Sequence, residues 1–472
     1  MNLLIYYCSM SVPALLATSS ILVGATYFYH QGHSISTEEF LAAGRDTGTV
    51  VGAITILATW SAAPAILIPA QLGYARGLPT ALWFTIPNAL TLILFGVVAV
   101  QIKKRFPSGY TIAEIFGNET SHIHSAVTML TLAKSFVAVS MSVVGGATFL
   151  TFFSELGRNQ SVLIILGTIL AYSLISGLNA SIFTDVLQTI AFAVLYVVFI
   201  PWSISAGDGI AVVIGAIRDG AIAKMFTGSN IEFGLILVIL LFTAPIVSQY
   251  IWQRAYAIQE ENTLGAFTIA GLGFFFVPAG MAVLGLIVAD SGTALDNPLL
   301  ASYAAMNQAV PASASLILFL LLLTTLLSAA DSALVACASI ISVDLLGTAL
   351  DRDIEKTRTS RYAMVAISVV VAIAAMGPFN MLDWVMLNAP IGAVLTIPVL
   401  VYLYTPDVAD TTYTTAALII GSLIAFPLYI YGTIQGNDGY RLGGLVGALV
   451  VTAVLVYVIP SLRRDKSAPV AN

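Results

Sequence analysis

The sequence predicts an all-α polytopic membrane protein, on three observations. Of its 472 residues 58% are hydrophobic and only 9% are charged, against about 25% charged in an ordinary soluble domain. Apolar stretches long enough to cross a hydrocarbon core, about 20 residues for about 30 Å, recur along the whole chain. No polar connection is long enough for a separate soluble module, the longest being 30–49, 102–121, 206–230 and 346–359.

In order, spans are expected near 10–29, 50–74, 80–101, 124–153, 161–177, 183–205, 231–252, 264–289, 312–345, 360–378, 382–404, 412–433 and 441–461, about 13 in all. The first lacks the basic start of a signal peptide, since no Lys or Arg precedes Arg45, and is read as a helix. In the second, ITILATWSAAPAILIPAQLGY, Pro64 and Pro69 each remove an amide donor and crowd the preceding turn. The helix is expected to open between Ala58 and Pro69 and free carbonyls for a cation, a simple proline kink being the other reading. The 124–153 span carries Lys134, which either snorkels to the interface or points into the bundle.

Asp185 and Gln188 lie one turn apart at the start of the 183–205 span. In the 312–345 span Ser328, Asp331, Ser332, Ser339 and Ser342 share a helical stripe. A charge at the bilayer centre costs at least about 2.5–3.5 kcal/mol, and marks a pathway or a site. Serines alone are also explained by close helix packing, which is the reading for Ser339 and Ser342. If Asp185 and Asp331 both face the bundle, they need a shared cation, or one must be protonated.

Twelve Lys and Arg, at 45, 103, 104, 105, 254, 352, 356, 358, 361, 463, 464 and 466, fall on one side of this topology, and five, at 76, 158, 218, 224 and 441, on the other. The excess marks the cytoplasmic face, so the N-terminus is expected outside and the C-terminus in the cytoplasm of a multi-pass cell-membrane protein. A net charge of −6 suggests no nucleic-acid partner. Cys8 and Cys337 are in or beside apolar spans and imply no disulfide framework. His30, His33, His122 and His124 are placed outside the spans, which argues against a metal site and against a membrane-embedded enzyme. A channel suits interrupted helices less well than an occluded central site does, and the eight residues after Arg464 leave no room for a sensor's signalling domain.

Five segments together resemble the sodium:solute symporter family: FLAAGR at 40–45, GY-x-x-G at 73–77, SGLNASIFTDVLQ at 176–188, WQRAYA at 252–257 and LLSAADSALVACASIISVDLL at 326–346. The resemblance implies a leucine-transporter-type fold in a single domain over 1–472: an extra helix at about 10–29, two inverted five-helix repeats over about 50–404, and additional helices over about 412–461. It implies a secondary active transporter that couples a small polar organic solute to Na+ or H+, with no other cofactor and no enzymatic activity. An uncoupled or sensor-type member of the fold is the alternative. The partners are the solute and the lipid bilayer, and the oligomeric state is not given.

By the same resemblance the main cation site takes the carbonyls of Ala58 and Ser61, or of Leu57 and Trp60 in the register one residue earlier, with Thr325, Ser328 and Ala329 on the eighth core helix. Ala329 departs from the pattern, standing where members offer a hydroxyl, which is expected to weaken sodium binding. A second cation or proton site falls on Asp185, Ser328, Asp331 and Ser332. The solute is expected near the midplane, among Pro64, Gln71, Ser248, Gln249 and Asn388, with Asp383 nearby. The 80–101 span has no carboxylate and the 231–252 stretch has only Glu232 at its start, so neither offers the carboxylate expected within a sugar site.

Overall fold

The computed structural model describes residues 36–117, 122–311, 314–347 and 353–467 and scattered positions between 13 and 28; for Ser176 and residues 190–192, 325–328, 353–355 and 465–467 it describes the backbone alone. Every regular element among the described residues is helical, with one isolated bridge pairing Thr47 and Ile258.

Ten core helices fall into two sets of five. The first comprises α1 (Thr49–Trp60) with α2 (Ala63–Arg76), α3 (Leu78–Arg105), α4 (His122–Phe153), α5 (Arg158–Ser176) and α6 (Leu178–Val194), which runs on through a π-helical segment to Ala206. The second comprises α7 (Gly228–Thr243) with α8 (Gln249–Ala257), α9 (Glu260–Phe274) with α10 (Phe276–Asp290), α11 (Ser315–Ser339) with its extension to Leu345, α12 (Asp353–Ala375), and α13 (Met381–Met386) with α14 (Asn388–Tyr404). Helices α15 (Thr411–Gln435) and α16 (Asp438–Ala453) follow.

Nine helices among the described residues are long and apolar enough to span a membrane, or eleven if two bent pairs each count as one. The expected thirteen are not reached on this measure. The 10–29 span lies largely outside the described residues, and the 231–252 span is cut by a break to the 16 residues of α7.

The first helix of each set is broken. Ser61 N closes the last turn of α1 onto Leu57 O at 2.8 Å, but the amides of Ala62 and Ala63 make no ladder bond and Pro64 has none to give. The carbonyls of Ala58, Thr59 and Trp60 are thereby left over by the helix, and the two halves meet at 53°. The opening is shorter than the Ala58–Pro69 expected from sequence. Pro64 sits in the first turn of α2, where a missing amide costs nothing, and Pro69 stays inside that helix. In the second set, Pro245–Val247 forms a tight turn and Ser248 is extended before α8 begins.

Close packing holds α2 against α10. A Cβ at Gly285 would run into the Ala70 carbonyl and one at Gly73 into that of Ala282, so both contacts depend on glycine letting the backbones touch. Helix α11 lies centrally, packed on α4, α6, α12, α1 and α8.

Candidate solute cavity and charged cluster

The two breaks flank a cavity of about 80 Å³ walled by α1, α2, α3, α4, α7, α8, α11, α13 and α14. That is room for a few water molecules and well short of a drug-sized pocket. Its wall is mostly apolar, with Trp60, Phe84, Met141, Leu241, Tyr250 and Val385, and its polar side chains include Thr59, Asn88, Lys134 and Asn388. Among the described residues no Asp or Glu lines it.

Trp60 Nε1 donates to Asn88 Oδ1 at 2.8 Å. Asn388 Nδ2 donates to the carbonyls of Trp384 and Val385 at 3.2 and 3.1 Å, while its Oδ1 is buried without a partner. Lys134 is 3% exposed and lines the cavity, so it takes the inward of its two orientations; none of the ion pairs among the described residues includes it.

Of the expected solute residues, Pro64 and Asn388 line the cavity. Gln71 does not, its Oε1 lying buried and unpartnered on α2. Ser248 Oγ is turned back onto Ala244 O. Gln249 is spent elsewhere: Nε2 donates to Tyr110 O at 2.6 Å and Oε1 accepts from Ile112 N at 2.9 Å, pinning α8 to the 110–112 turn. Asp383 caps α13 with Asn380.

Of the residues expected to hold the main cation, Ala58 is buried, Ser61 Oγ is buried without a partner among the described residues, and Ala329 lines the cavity. The side chains of Thr325 and Ser328 lie outside the described residues.

Asp185, Asp331 and Ser332 come together, and a cation the sequence reading had placed in a polar connection joins them. Arg254, on α8, is fully buried. Its Nη2 lies 3.2 Å from Asp185 Oδ2 and donates to Ser181 Oγ at 2.9 Å and Ser332 Oγ at 2.6 Å. Thr55 and Thr59 on α1 donate to the same Asp185 oxygen at 2.6 and 3.4 Å. Asp331 accepts from Ser332 Oγ at 3.1 Å and Thr184 Oγ1 at 3.4 Å, and belongs to no ion pair among the described residues. Two buried carboxylates thus lie in one cluster, and the guanidinium pairs with Asp185 alone among the described residues.

Sequence reasoning missed Arg254, Thr55, Thr59, Ser181 and Asn88. The available signals were the arginine six residues past the second break and the hydroxyls four apart in an apolar span. Thr59 both lines the cavity and reaches Asp185, linking the two sites.

The serines assigned to packing are hydrogen-bonded: Gln253 Nε2 donates to Ser339 Oγ at 3.2 Å and Ser360 Oγ to Ser342 Oγ at 2.8 Å. His124, expected outside the spans, is buried at the start of α4 with Nε2 3.5 Å from Asp344. Below it Glu114 accepts from the amides of Tyr110 and Thr111, and burial pushes its carboxyl above the ordinary range.

Two helices broken at a shared, mostly apolar cavity, with ionisable groups buried beside it, form the arrangement from which secondary transporters build a midplane site. The model of the sodium:solute symporter family matches residues 40–406, and the chain belongs to that family. It is similar to the urea-proton symporter DUR3 of Oryza sativa subsp. japonica, 25% identical over 68% of this chain and 49% of the relative. It is also similar to the urea active transporter of Saccharomyces cerevisiae, 21% identical over 73% of this chain and 51% of that protein. The chain thus spans about half the length of these relatives. Among solved structures, a Na+-coupled sialic acid symporter in its substrate-bound outward-open state shares the fold, with TM-score 0.74 at 12% identity over 96% of this chain and 97% of that one.

Proposed function

We propose that this protein is a symporter that moves a compact, uncharged polar solute of the urea type through the central cavity by alternating access, and that its coupling ion is carried at Asp331. The observation that carries this reading is the charge balance of the cluster. Asp185 is met by Arg254, while Asp331 is fully buried beside them, accepting from the Ser332 amide and from the hydroxyls of Ser332 and Thr184 and belonging to no ion pair among the described residues. A second buried carboxylate with no countercharge takes up a proton or a metal cation. Ala329, which offers no side-chain oxygen to sodium, favours the proton, as does the name of the rice relative. The small cavity and its lack of acidic side chains support a small solute that is not a cation.

Arg254 also ties the second broken helix to α6 and α11, so loading of Asp331 is placed to loosen or tighten that closure. With the N-terminus outside, this closure is on the cytoplasmic side of the cavity. The test is accumulation of radiolabelled urea in proteoliposomes. An inward proton gradient should drive it above equilibrium; equilibration without accumulation under both proton and sodium gradients would mark an uncoupled carrier.

A further inference from the structure

We propose that Lys134, Asn88 and Asn388 form a polar frame that selects solutes carrying both a carbonyl oxygen and an N–H group, and that rejects cations. The inference rests on the reading of the cavity as the solute site. The Asn388 amide is oriented by two carbonyls, Trp384 O and Val385 O, both accepting from Nδ2. Turning it over would set its oxygen against those two oxygens. Its Oδ1 is therefore a fixed acceptor, 4% exposed as a residue and without a partner among the described residues, and it calls for a donor from the solute.

Asn88 is oriented the opposite way. Its oxygen is taken by Trp60 Nε1, which leaves its Nδ2 as a donor. Lys134 as an ammonium offers three donors and no acceptor. It finds no carboxylate in the cavity wall, because the acids of the neighbouring cluster face Arg254 and hydroxyls.

Besides Thr59, whose hydroxyl is turned to Asp185, and Tyr250, the cavity presents one fixed acceptor and two kinds of donor in a mostly apolar wall. A urea or small primary amide satisfies all of them. Its carbonyl oxygen accepts from Lys134 and Asn88, and its N–H donates to Asn388 Oδ1. A ketone of the same size leaves Asn388 Oδ1 unpaired. A small ammonium ion offers no acceptor to these donors, finds no opposite charge among the described wall residues, and is repelled wherever Lys134 holds its proton.

The experiment is counterflow in proteoliposomes of the full chain, with no ion gradient, following exchange of radiolabelled urea against unlabelled urea, acetamide, acetone or methylammonium. Acetamide should exchange comparably to urea, acetone at least roughly tenfold less well, and methylammonium not measurably. Lys134→Met should weaken urea exchange roughly tenfold or more and admit methylammonium, whereas Lys134→Arg should keep the exclusion. Asn388→Leu should narrow the gap between acetamide and acetone.

Methylammonium exchanging as well as urea in the wild type, or an unchanged order in Lys134→Met, would overturn the proposal. The wild-type order alone decides if Lys134→Met does not assemble. Coupling plays no part in counterflow, so an intact order without gradient-driven accumulation sinks the coupling reading alone. Accumulation of urea with methylammonium also exchanging sinks this one alone.

Discussion

Arg254 Nη2 lies 3.2 Å from Asp185 Oδ2 with neither side chain exposed, so the second broken helix is tied to the last helix of the first set by a buried ion pair. Two charges taken out of water each lose several kcal/mol of hydration; Thr55 on the carboxylate and Ser181 and Ser332 on Nη2 offset part of that loss, while Arg254 Nε and Nη1 stay buried without a partner among the described residues. Removing one member strands the other. Arg254→Gln should therefore lower stability by about 3–5 kcal/mol, and adding Asp185→Asn should recover much of that loss. Thermal unfolding of the two single variants and the double variant measures the coupling; strictly additive losses would mean the pair contributes no specific interaction. Arg254→Lys should fall between, since an ammonium cannot reproduce the planar fork.

Ala329 sits in the cavity wall at the position where a hydroxyl is expected to help hold sodium. Ala329→Ser adds an oxygen there. Apparent sodium affinity should rise by about 1.5–3 kcal/mol, roughly tenfold or more, read as sodium-dependent urea uptake. Indifference to sodium in the variant would show that Ala329 is not what sets the ion preference.

The backbone contact of Gly285 with Ala70 leaves no room for a side chain. Gly285→Ala should cost roughly 1–3 kcal/mol through separation of α10 from α2. By contrast Gly215, around which a Cβ meets nothing within 4 Å, should accept alanine with a gain of up to about 1 kcal/mol from helix propensity. Detergent-stability measurements on the two variants distinguish a packing effect from a general intolerance of alanine.

What could be read from the chain in advance followed from local physics. Pro64 and Pro69 announced the first break because proline removes an amide wherever it sits. The break fell at Ser61–Ala62 because Pro64 begins α2 rather than interrupting a helix. Asp331, deep in an apolar span, is expected to face inward, but Asp185 at the start of its span can equally stay in interfacial water, so the two pair from sequence only if both turn into the bundle.

Arg254 could not be read that way. After Trp252 the chain is read as a connection between spans, and only tertiary packing buries the end of α8 in the bundle. Gln249 misled for the converse reason: its partners, Tyr110 and Ile112, are more than 130 residues away. Lys134 and Asn88 lie on helices apolar nearly all round, where periodicity does not say which face looks inward.

The central claim is that Asp331 carries the coupling ion, and gradient-driven uptake in Asp331→Asn proteoliposomes tests it most directly. Asparagine keeps the shape and the hydroxyl donors but holds neither a titrating proton nor a charge for a cation. With wild type accumulating urea under an inward proton gradient, the variant should still equilibrate urea and exchange it in counterflow, while a proton gradient should no longer raise the internal concentration above the external one. Undiminished, proton-driven accumulation by Asp331→Asn would contradict the account.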